Sequence, residues 1–455
     1  MRARSLLSLF SLLALCGCGA GSAERPNLLI VLLDTTRADH LSCYGYEKRT
    51  SPVLDALAAE GVRFDAAYSQ SSLTPVSTGS LLTGVHPYRH GVRSLFTVAG
   101  QGLDETLVTL PELFQARGYR TAGFVAAAPM GAKHGFGRGF EHYSDDFRQG
   151  TPREVLRARR PGVYQRRGEV VADELIDWLD GVEDEPFFAL LHMFDAHDWS
   201  FVPPRAFLAE HTELVLPFEL DRTQQLQGLR TNADKRALYD AEITYMDVQV
   251  GRVLDALERQ GRREDTYVLV LADHGEGLGQ HDFWTHGLLW GEQLRVPLLL
   301  SGPELPAERV VAERARVVDV LPTLAELFDL SLGENLLDGQ SLLPLVEGES
   351  EGAEPRELYA EVHHAPEDNL RRDPEMYTLT VGPWKYVHRP SVGTHELYQL
   401  EEDPLELDNR YAPDDVMVRY LQARLHEMGA ISGGGASLSE LSESELEALR
   451  NLGYL

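Results

Sequence analysis

The sequence predicts an α/β fold in which a mostly parallel sheet is flanked by helices and followed by a small C-terminal antiparallel-sheet subdomain. Near-continuous apolar runs, each ending in aspartate, read as strands buried on both faces: NLLIVLLD (27–34), PFFALLHMFD (186–195) and TYVLVLAD (266–273). Helical patterns lie between and around them, and strands alternating with helices argue for a parallel sheet covered on both sides. Past Leu345 the texture shifts to shorter, tyrosine-rich segments.

The chain has 455 residues, enough for two or three average domains or for one large α/β domain with an appendage. With 42 basic and 71 acidic residues its formal charge is −29, which repels nucleic acid at long range and excludes it as an expected partner. Residues 1–24 begin Met-Arg-Ala-Arg and continue SLLSLFSLLAL, too short to span a bilayer and well formed for export. The LCGCGAGS that follows resembles a bacterial lipoprotein signal, with Cys18 behind Gly17 as the expected lipid anchor; an ordinary signal cleaved near Ala23 is the plainer alternative. Either reading expects a protein of the periplasm or cell envelope, with the membrane engaged only through that anchor. Only Cys43 then remains of three cysteines, which leaves no internal disulfide and no thiolate zinc cluster.

The catalytic portion is expected over 25–345. Its helical segments include SPVLDALAAEG from Ser51, LPELFQARG from Leu110 and the long pattern from Ala237, each stopping at glycine. An acidic stretch, EGESEGAEPRE, leads into LYAEV, YTLTVGPWKYVH and ELYQL, the expected antiparallel subdomain at 346–410. Residues 411–455 read as a helix, an ISGGGAS linker and a terminal helix with an acidic first turn.

Ligands of open α/β sheets bind beyond the carboxyl ends of the strands. Asp34, Asp195 and Asp273 end such strands, and histidines follow closely in DAH (195–197) and ADHGEGLGQHDFWTHG (272–287). Carboxylates and imidazoles converging at a loop edge suit a divalent cation. In SSLTPVSTGSLLTG, Thr74 falls at a helix N-cap with Pro75 at the first helical position, and that helix end attracts an anion. A hydroxyl there becomes a nucleophile once a metal lowers its pKa.

DTTRADHLSCYGY (34–46), SLLTGVHPYRHG, FDAHDWSFVPP (194–204), DHGEGLGQHDFWTHG, VVDVLPTLAEL (317–327), LDGQSLLPL and ELYQLEEDPLELDN (396–409) together resemble the sulfatase family of the alkaline phosphatase superfamily, from about Arg25 to Asn409. The resemblance implies an alkaline-phosphatase-like fold and metal ligation by Asp34, Thr74, Asp273 and His274. It implies that His197 contacts the transferred group or protonates the leaving group. His286 stands where many sulfatases place a substrate-binding lysine, and Arg37 and His281 are the expected substrate-binding residues. One divalent ion is expected, with calcium, magnesium, manganese and zinc undistinguished; Asp195, His197, His281 and His286 are the residues available to a second.

The departures bear on mechanism. Where formylglycine sulfatases carry C/S-x-P-x-R, this chain has Thr74-Pro75-Val76-Ser77-Thr78, so no formylglycine is expected and the motif's arginine is missing. Thr35 replaces the second aspartate of the usual Asp-Asp pair. A threonyl ester cannot eliminate sulfate as a formylglycine hydrate does, so water must attack sulfur or phosphorus directly. The expected activity is hydrolysis of sulfate or phosphate esters with Thr74 as nucleophile. The alternatives are a phosphoryl- or phosphoethanolamine-type transferase, and a catalytically silent lipoprotein that binds a metal or anion. His192, inside a strand, reads as a packed core residue, and His86, Arg89 and His90 as features of a helix end.

Overall fold

The computed structural model describes residues 25–95, 102–147, 165–182, 185–197, 202–213, 231–349, 356–364, 374–431 and 442–443. The export segment with Cys18 and the terminal helix expected at 441–455 fall outside the described residues, Ser442 and Glu443 excepted.

The three aspartate-terminated runs form β1 (Asn27–Leu33), β5 (Phe187–Met193) and β6 (Thr266–Leu271), neighbours at the middle of the main sheet, where β1 pairs in parallel with both others. All their residues are buried, which is why they read as unbroken apolar runs. The sheet is completed by β2 (Val62–Tyr68), β3 (Arg120–Val125), β4 (His142–Ser144), β9 (Arg295–Val296), β10 (Leu298–Ser301) and β11 (Arg309–Arg316), in the order β11-β2-β10-β6-β1-β5-β3-β4 with β9 pairing β2. Pairing is parallel except around β10 and β9. β7 (Gly277–Leu278) and β8 (Trp284–Thr285) form a short hairpin beyond β6.

The pleat sorts the core into two layers. Leu28, Ile30 and Leu32 of β1 pack with Val76, Leu81 and Leu82 of helix Thr74–Thr83, with Phe114 of helix Leu110–Ala116 and with Leu321 and Leu324 of helix Val320–Leu327. Leu29, Val31 and Leu33 face the other way, against helices Pro52–Glu60, Gly168–Gly181 and Asn232–Arg259. The last of these begins five residues before the apolar pattern from Ala237, because Thr231 and Asp234 close a reciprocal capping box, with bonds of 2.9 and 3.1 Å.

β12 (Leu358–His363), β13 (Glu375–Val381), β14 (Trp384–Arg389) and β15 (Thr394–Gln399) make a separate antiparallel sheet, and the Gly382-Pro383 turn joins the two halves of YTLTVGPWKYVH. Tyr359, Leu379, Tyr386 and Leu397 of this sheet pack against Met417, Val418, Leu421 and Leu425 of helix Val416–Glu427. Among the described residues no helix is long and apolar enough to cross a membrane.

Candidate active site

Strand register builds the site. Leu32 stands opposite Leu271, so two positions further along β1 and β6 come Asp34 and Asp273, on the same face of the pleat and at the same height. That face is the one covered by helix Thr74–Thr83. The carboxylates of Asp34 and Asp273 and the ring of His274 offer ligand atoms all within 4.8 Å of one another, and all three residues are buried.

Thr74 completes the group, in a setting slightly different from the expected cap. Leu73 is the N-cap and Thr74 the first helical residue. The Thr74 hydroxyl therefore leaves the helix backbone alone and lies 3.2 Å from Asp34 Oδ2 and 3.4 Å from His274 Nε2. Pro75 has no N–H, and the Val76 and Ser77 N–H groups turn back to the Leu73 carbonyl, each at 3.0 Å, so this buried helix start brings its dipole rather than a row of free amides to the Thr74 hydroxyl.

Hydrogen bonds fix which lone pairs are bare. His274 Nδ1 lies 2.9 Å from the Gly275 carbonyl and must carry the proton that it donates there, so in the neutral ring Nε2 offers a lone pair toward Thr74. Asp273 Oδ1 accepts N–H bonds from Thr35 at 3.1 Å and His274 at 2.8 Å, whereas Asp273 Oδ2 and Asp34 Oδ1 are buried without hydrogen-bond partners. Burial, and then the charge of Asp273, raise the Asp34 pKa well above the ordinary carboxylate value. His274 is raised too: burial opposes its protonation, and the charges of Asp273 and Asp34 outweigh it. Two crowded carboxylates with orphaned oxygens, an imidazole whose Nε2 lies 3.3 Å from Asp273 Oδ2, and a hydroxyl form a donor set that fits a divalent cation, whose binding would displace any proton on that nitrogen.

His192 belongs to this site, contrary to its reading as a packed core residue. Its Nδ1 accepts the Ala126 N–H at 3.3 Å, so Nε2 carries the proton and donates to Asp34 Oδ2 at 3.0 Å. Burial holds its pKa down at about 4, which keeps the ring neutral and this tautomer fixed. In register His192 stands opposite Leu32, on the face that carries Asp34.

Asp195 goes the other way. Met193 packs in the opposite layer, and Asp195 two residues on directs Oδ2 to the Gly168 N–H at 2.8 Å, at the start of helix Gly168–Gly181. Burial raises its pKa to about 6. It is not among the residues of the metal-ligating group found among the described residues.

The turn after β1 is strained where it presents the site. Thr35, a β-branched residue, has φ +53°, its N–H is tied to Asp273, and Tyr239 donates to its carbonyl at 2.7 Å. After β6, Gly275 is required by close approach, since a Cβ there would stand 2.2 Å from the Glu292 carbonyl.

His197 and His286 both reach the cluster's edge. The His286 ring lies 4.6 Å from that of His274 and 4.7 Å from that of His197, which stacks on Phe194 at 3.9 Å. Buried Glu276 approaches His286 Nδ1 at 3.3 Å and sets the ring's orientation, a role the sequence reading did not assign. The E in DHGEG, placed between the ligand pair and His286, is the signal that could have found it.

Arg37 and His281 are outside the Asp34–Asp273–His274 ligand group and line a cavity of about 620 Å³, whose walls include residues of the main sheet and of the C-terminal sheet. The Arg37 guanidinium is committed to Asp39, at 2.6 and 2.8 Å, and to the Glu276 carbonyl and Gln280. His281 Nδ1 and Nε2 face Glu292 and the Leu405 carbonyl, each at 3.0 Å. Neither residue directs a hydrogen bond at Thr74, and their polar atoms hold loop segments together.

Comparison with known proteins agrees with this fold. The sulfatase family model matches residues 26–330, and the model for the C-terminal region of N-sulphoglucosamine sulphohydrolase matches 279–430. A Δ4,5-hexuronate-2-O-sulfatase of Bacteroides thetaiotaomicron is 25% identical over 87% of each chain. The choline-sulfatase of Rhizobium meliloti is 27% identical over 85% of this chain and 82% of its own. Among solved structures, the phosphonate monoester hydrolase of Agrobacterium radiobacter superposes with a TM-score of 0.73 at 23% identity, covering 92% of this chain and 99% of that one. With its sheet order, its helix-borne Thr74 and its Asp34–Asp273–His274 cluster in the frame matched by that model, the chain belongs to the sulfatase family of hydrolases.

Proposed function

We propose that the protein hydrolyses sulfate or phosphate esters with the unmodified Thr74 hydroxyl as nucleophile. The observation that carries this reading is the Thr74 Oγ1 position, 3.2 Å from Asp34 Oδ2 and 3.4 Å from His274 Nε2 at the amino end of a buried helix. Asp34, Asp273, His274 and Thr74 would hold one divalent ion, which when bound supplies Lewis-acid polarisation of the ester and of the hydroxyl. The oxygen donors suit calcium, magnesium and manganese, and the imidazole suits zinc, so the donor set does not select among the four.

The residues divide the remaining work. Asp34 Oδ2 is placed to take the Thr74 proton, and His192 keeps that carboxylate in position. Thr74 Oγ forms a bond to sulfur or phosphorus as the bond to the leaving oxygen breaks. His286, oriented by Glu276, or the neighbouring His197 gives that oxygen its proton. The dipole at the start of the helix Thr74–Thr83 favours the negative oxygens of the transferred group. Water then attacks sulfur or phosphorus, giving a proton to the histidine that protonated the leaving oxygen, as the bond to Thr74 Oγ1 breaks and Asp34 returns its proton to that oxygen, which releases sulfate or phosphate and restores the hydroxyl. The relatives named as sulfatases support the sulfate ester, and the threonine, with no elimination route, supports the phosphate ester.

Steady-state assays on matched aryl sulfates, phosphate monoesters and diesters test the reading. Thr74→Ala should abolish turnover with the fold intact, and its survival would exclude the covalent route. An intermediate that decays only when a sugar or lipid acceptor is added would favour the transferase reading instead. Metal binding without product from any of these esters would favour the silent one. The proposal also places the protein outside the cytoplasm, anchored through Cys18. Labelling by radioactive palmitate that persists in Cys18→Ala would oppose the anchor.

A further inference from the structure

We propose that the C-terminal sheet is part of the catalytic apparatus, because it clamps the segment Glu276–Leu294 and thereby positions the His286 imidazole. This rests on the reading above in which His286 protonates the leaving group.

The segment is held on both sides of the histidine by residues far away in sequence. His364, just after β12, places Nε2 2.7 Å from the carbonyl of Gly287, the residue next to His286. Lys385 of β14 donates to the Leu289 carbonyl and to Glu406, both at 2.5 Å. The other oxygen of Glu406 accepts the Gly291 N–H at 2.8 Å. The Leu405 carbonyl meets His281 Nε2 at 3.0 Å, and the His281 ring lies on Trp290 with centroids 4.0 Å apart and planes 6° from parallel. Both His281 nitrogens face acceptors, so both carry protons, and the ring ties Glu292 to the C-terminal loop as a cation.

These contacts are more than packing requires. The Lys385 and Glu406 side chains are each only 4% exposed, and two charges are costly to bury unless their hydrogen-bonding capacity is used. Glu406 also holds φ +55°, a conformation that glycine adopts without strain and glutamate does not. The strain turns its carboxylate inward while Leu405 and Leu407, on either side, are 63% and 70% exposed. A buried ion pair and a strained backbone thus converge on one short segment, whose side chain directed at the cluster is His286. Lys385, Glu406 and His364 are positioning residues in this scheme.

The test compares the full-length protein with the double variant K385M/E406Q, which removes both charges together and leaves neither buried alone. kcat/KM is measured on phenyl and 4-nitrophenyl sulfates and phosphates, since only the poorer leaving group, phenol, depends on proton donation. General-acid assistance contributes about 10²–10⁴-fold, so a loosened His286 should lower turnover of the phenyl ester by about tenfold or more and that of the 4-nitrophenyl ester by less than about threefold. His286→Asn should show the same discrimination more strongly. Discrimination in His286→Asn with equal losses, or none, in the double variant overturns the clamp. Equal losses in His286→Asn, or a wild type inactive on all four esters, overturn the underlying reading. A readout independent of turnover is the imidazole N–H resonance of His286 beside Glu276, sharp in the wild type and broadened by exchange in the double variant; an unchanged resonance overturns the clamp. Should the double variant lose its cooperative thermal transition, His364→Asn, which cuts the tether at Gly287, carries the same comparisons.

Discussion

Replacing His192 by leucine perturbs the site without replacing any expected metal ligand. The ring makes two bonds, accepting from Ala126 N–H at 3.3 Å and donating to Asp34 Oδ2 at 3.0 Å, and is fully buried. Leucine fills much of the volume and makes neither bond. The stranded Ala126 amide costs about 1–3 kcal/mol of stability. Asp34 loses the donor that holds Oδ2, and losing such an outer partner typically weakens a metal site by about 10–100-fold. Competition titration of the protein against a chromophoric chelator, with manganese as probe, reads the affinity, and thermal unfolding reads the stability. Glutamine at 192 keeps a donor near Asp34 and should recover most of the affinity. If His192→Leu binds manganese as the wild type does, Asp34 is not oriented from β5 and the outer partner assigned here is wrong.

Acid should destabilise the fold through His86 and His90, whose pKa values burial presses down to about 3. Below pH 6.5 the unfolded chain binds protons at these rings while the folded chain does not, so stability falls as pH drops from 6.5 toward 3, by about 2 kcal/mol per histidine at pH 5. Urea titrations at pH 7 and pH 5 should show a smaller difference for His90→Gln than for the wild type, and an equal one contradicts the assignment. Gly79→Ala should destabilise although alanine gains about 1 kcal/mol of helix propensity, because its Cβ would stand 2.5 Å from the buried His90 ring and overpacking costs about 1–3 kcal/mol; a raised melting temperature would refute this. Metal should stabilise in proportion to its binding, by about 2.7 kcal/mol at a hundredfold excess over its Kd, and Asp273→Asn should lose most of that gain in thermal unfolding.

Asp34 and Asp273 were legible in the sequence because each ends an apolar run, and parallel pairing then set them side by side. Asp195 looked equivalent and is not: one residue more beyond β5 moves a side chain to the other face, and that offset depends on pairing no single run reveals. His192 was obscured for a related reason. A strand covered on both faces has no alternation to show which layer a polar residue joins, so its contact with Asp34 emerges only from register. The place of Thr74 at a helix start is legible from the proline that follows it, displaced by one position from the cap. The meeting of His197 with His286, the Glu276 contact and the contacts of Arg37 and His281 are set by loops and by the C-terminal sheet, where no periodicity constrains the chain.

The most direct test of the account is mass spectrometry of the Thr74 peptide after rapid quenching during turnover of an aryl sulfate or phosphate. The account predicts an unmodified threonine in the resting protein and one sulfuryl or phosphoryl group on Thr74 in the quenched one, with none acquired by Thr74→Ala. A group captured on another residue, or continued turnover by Thr74→Ala, would contradict it.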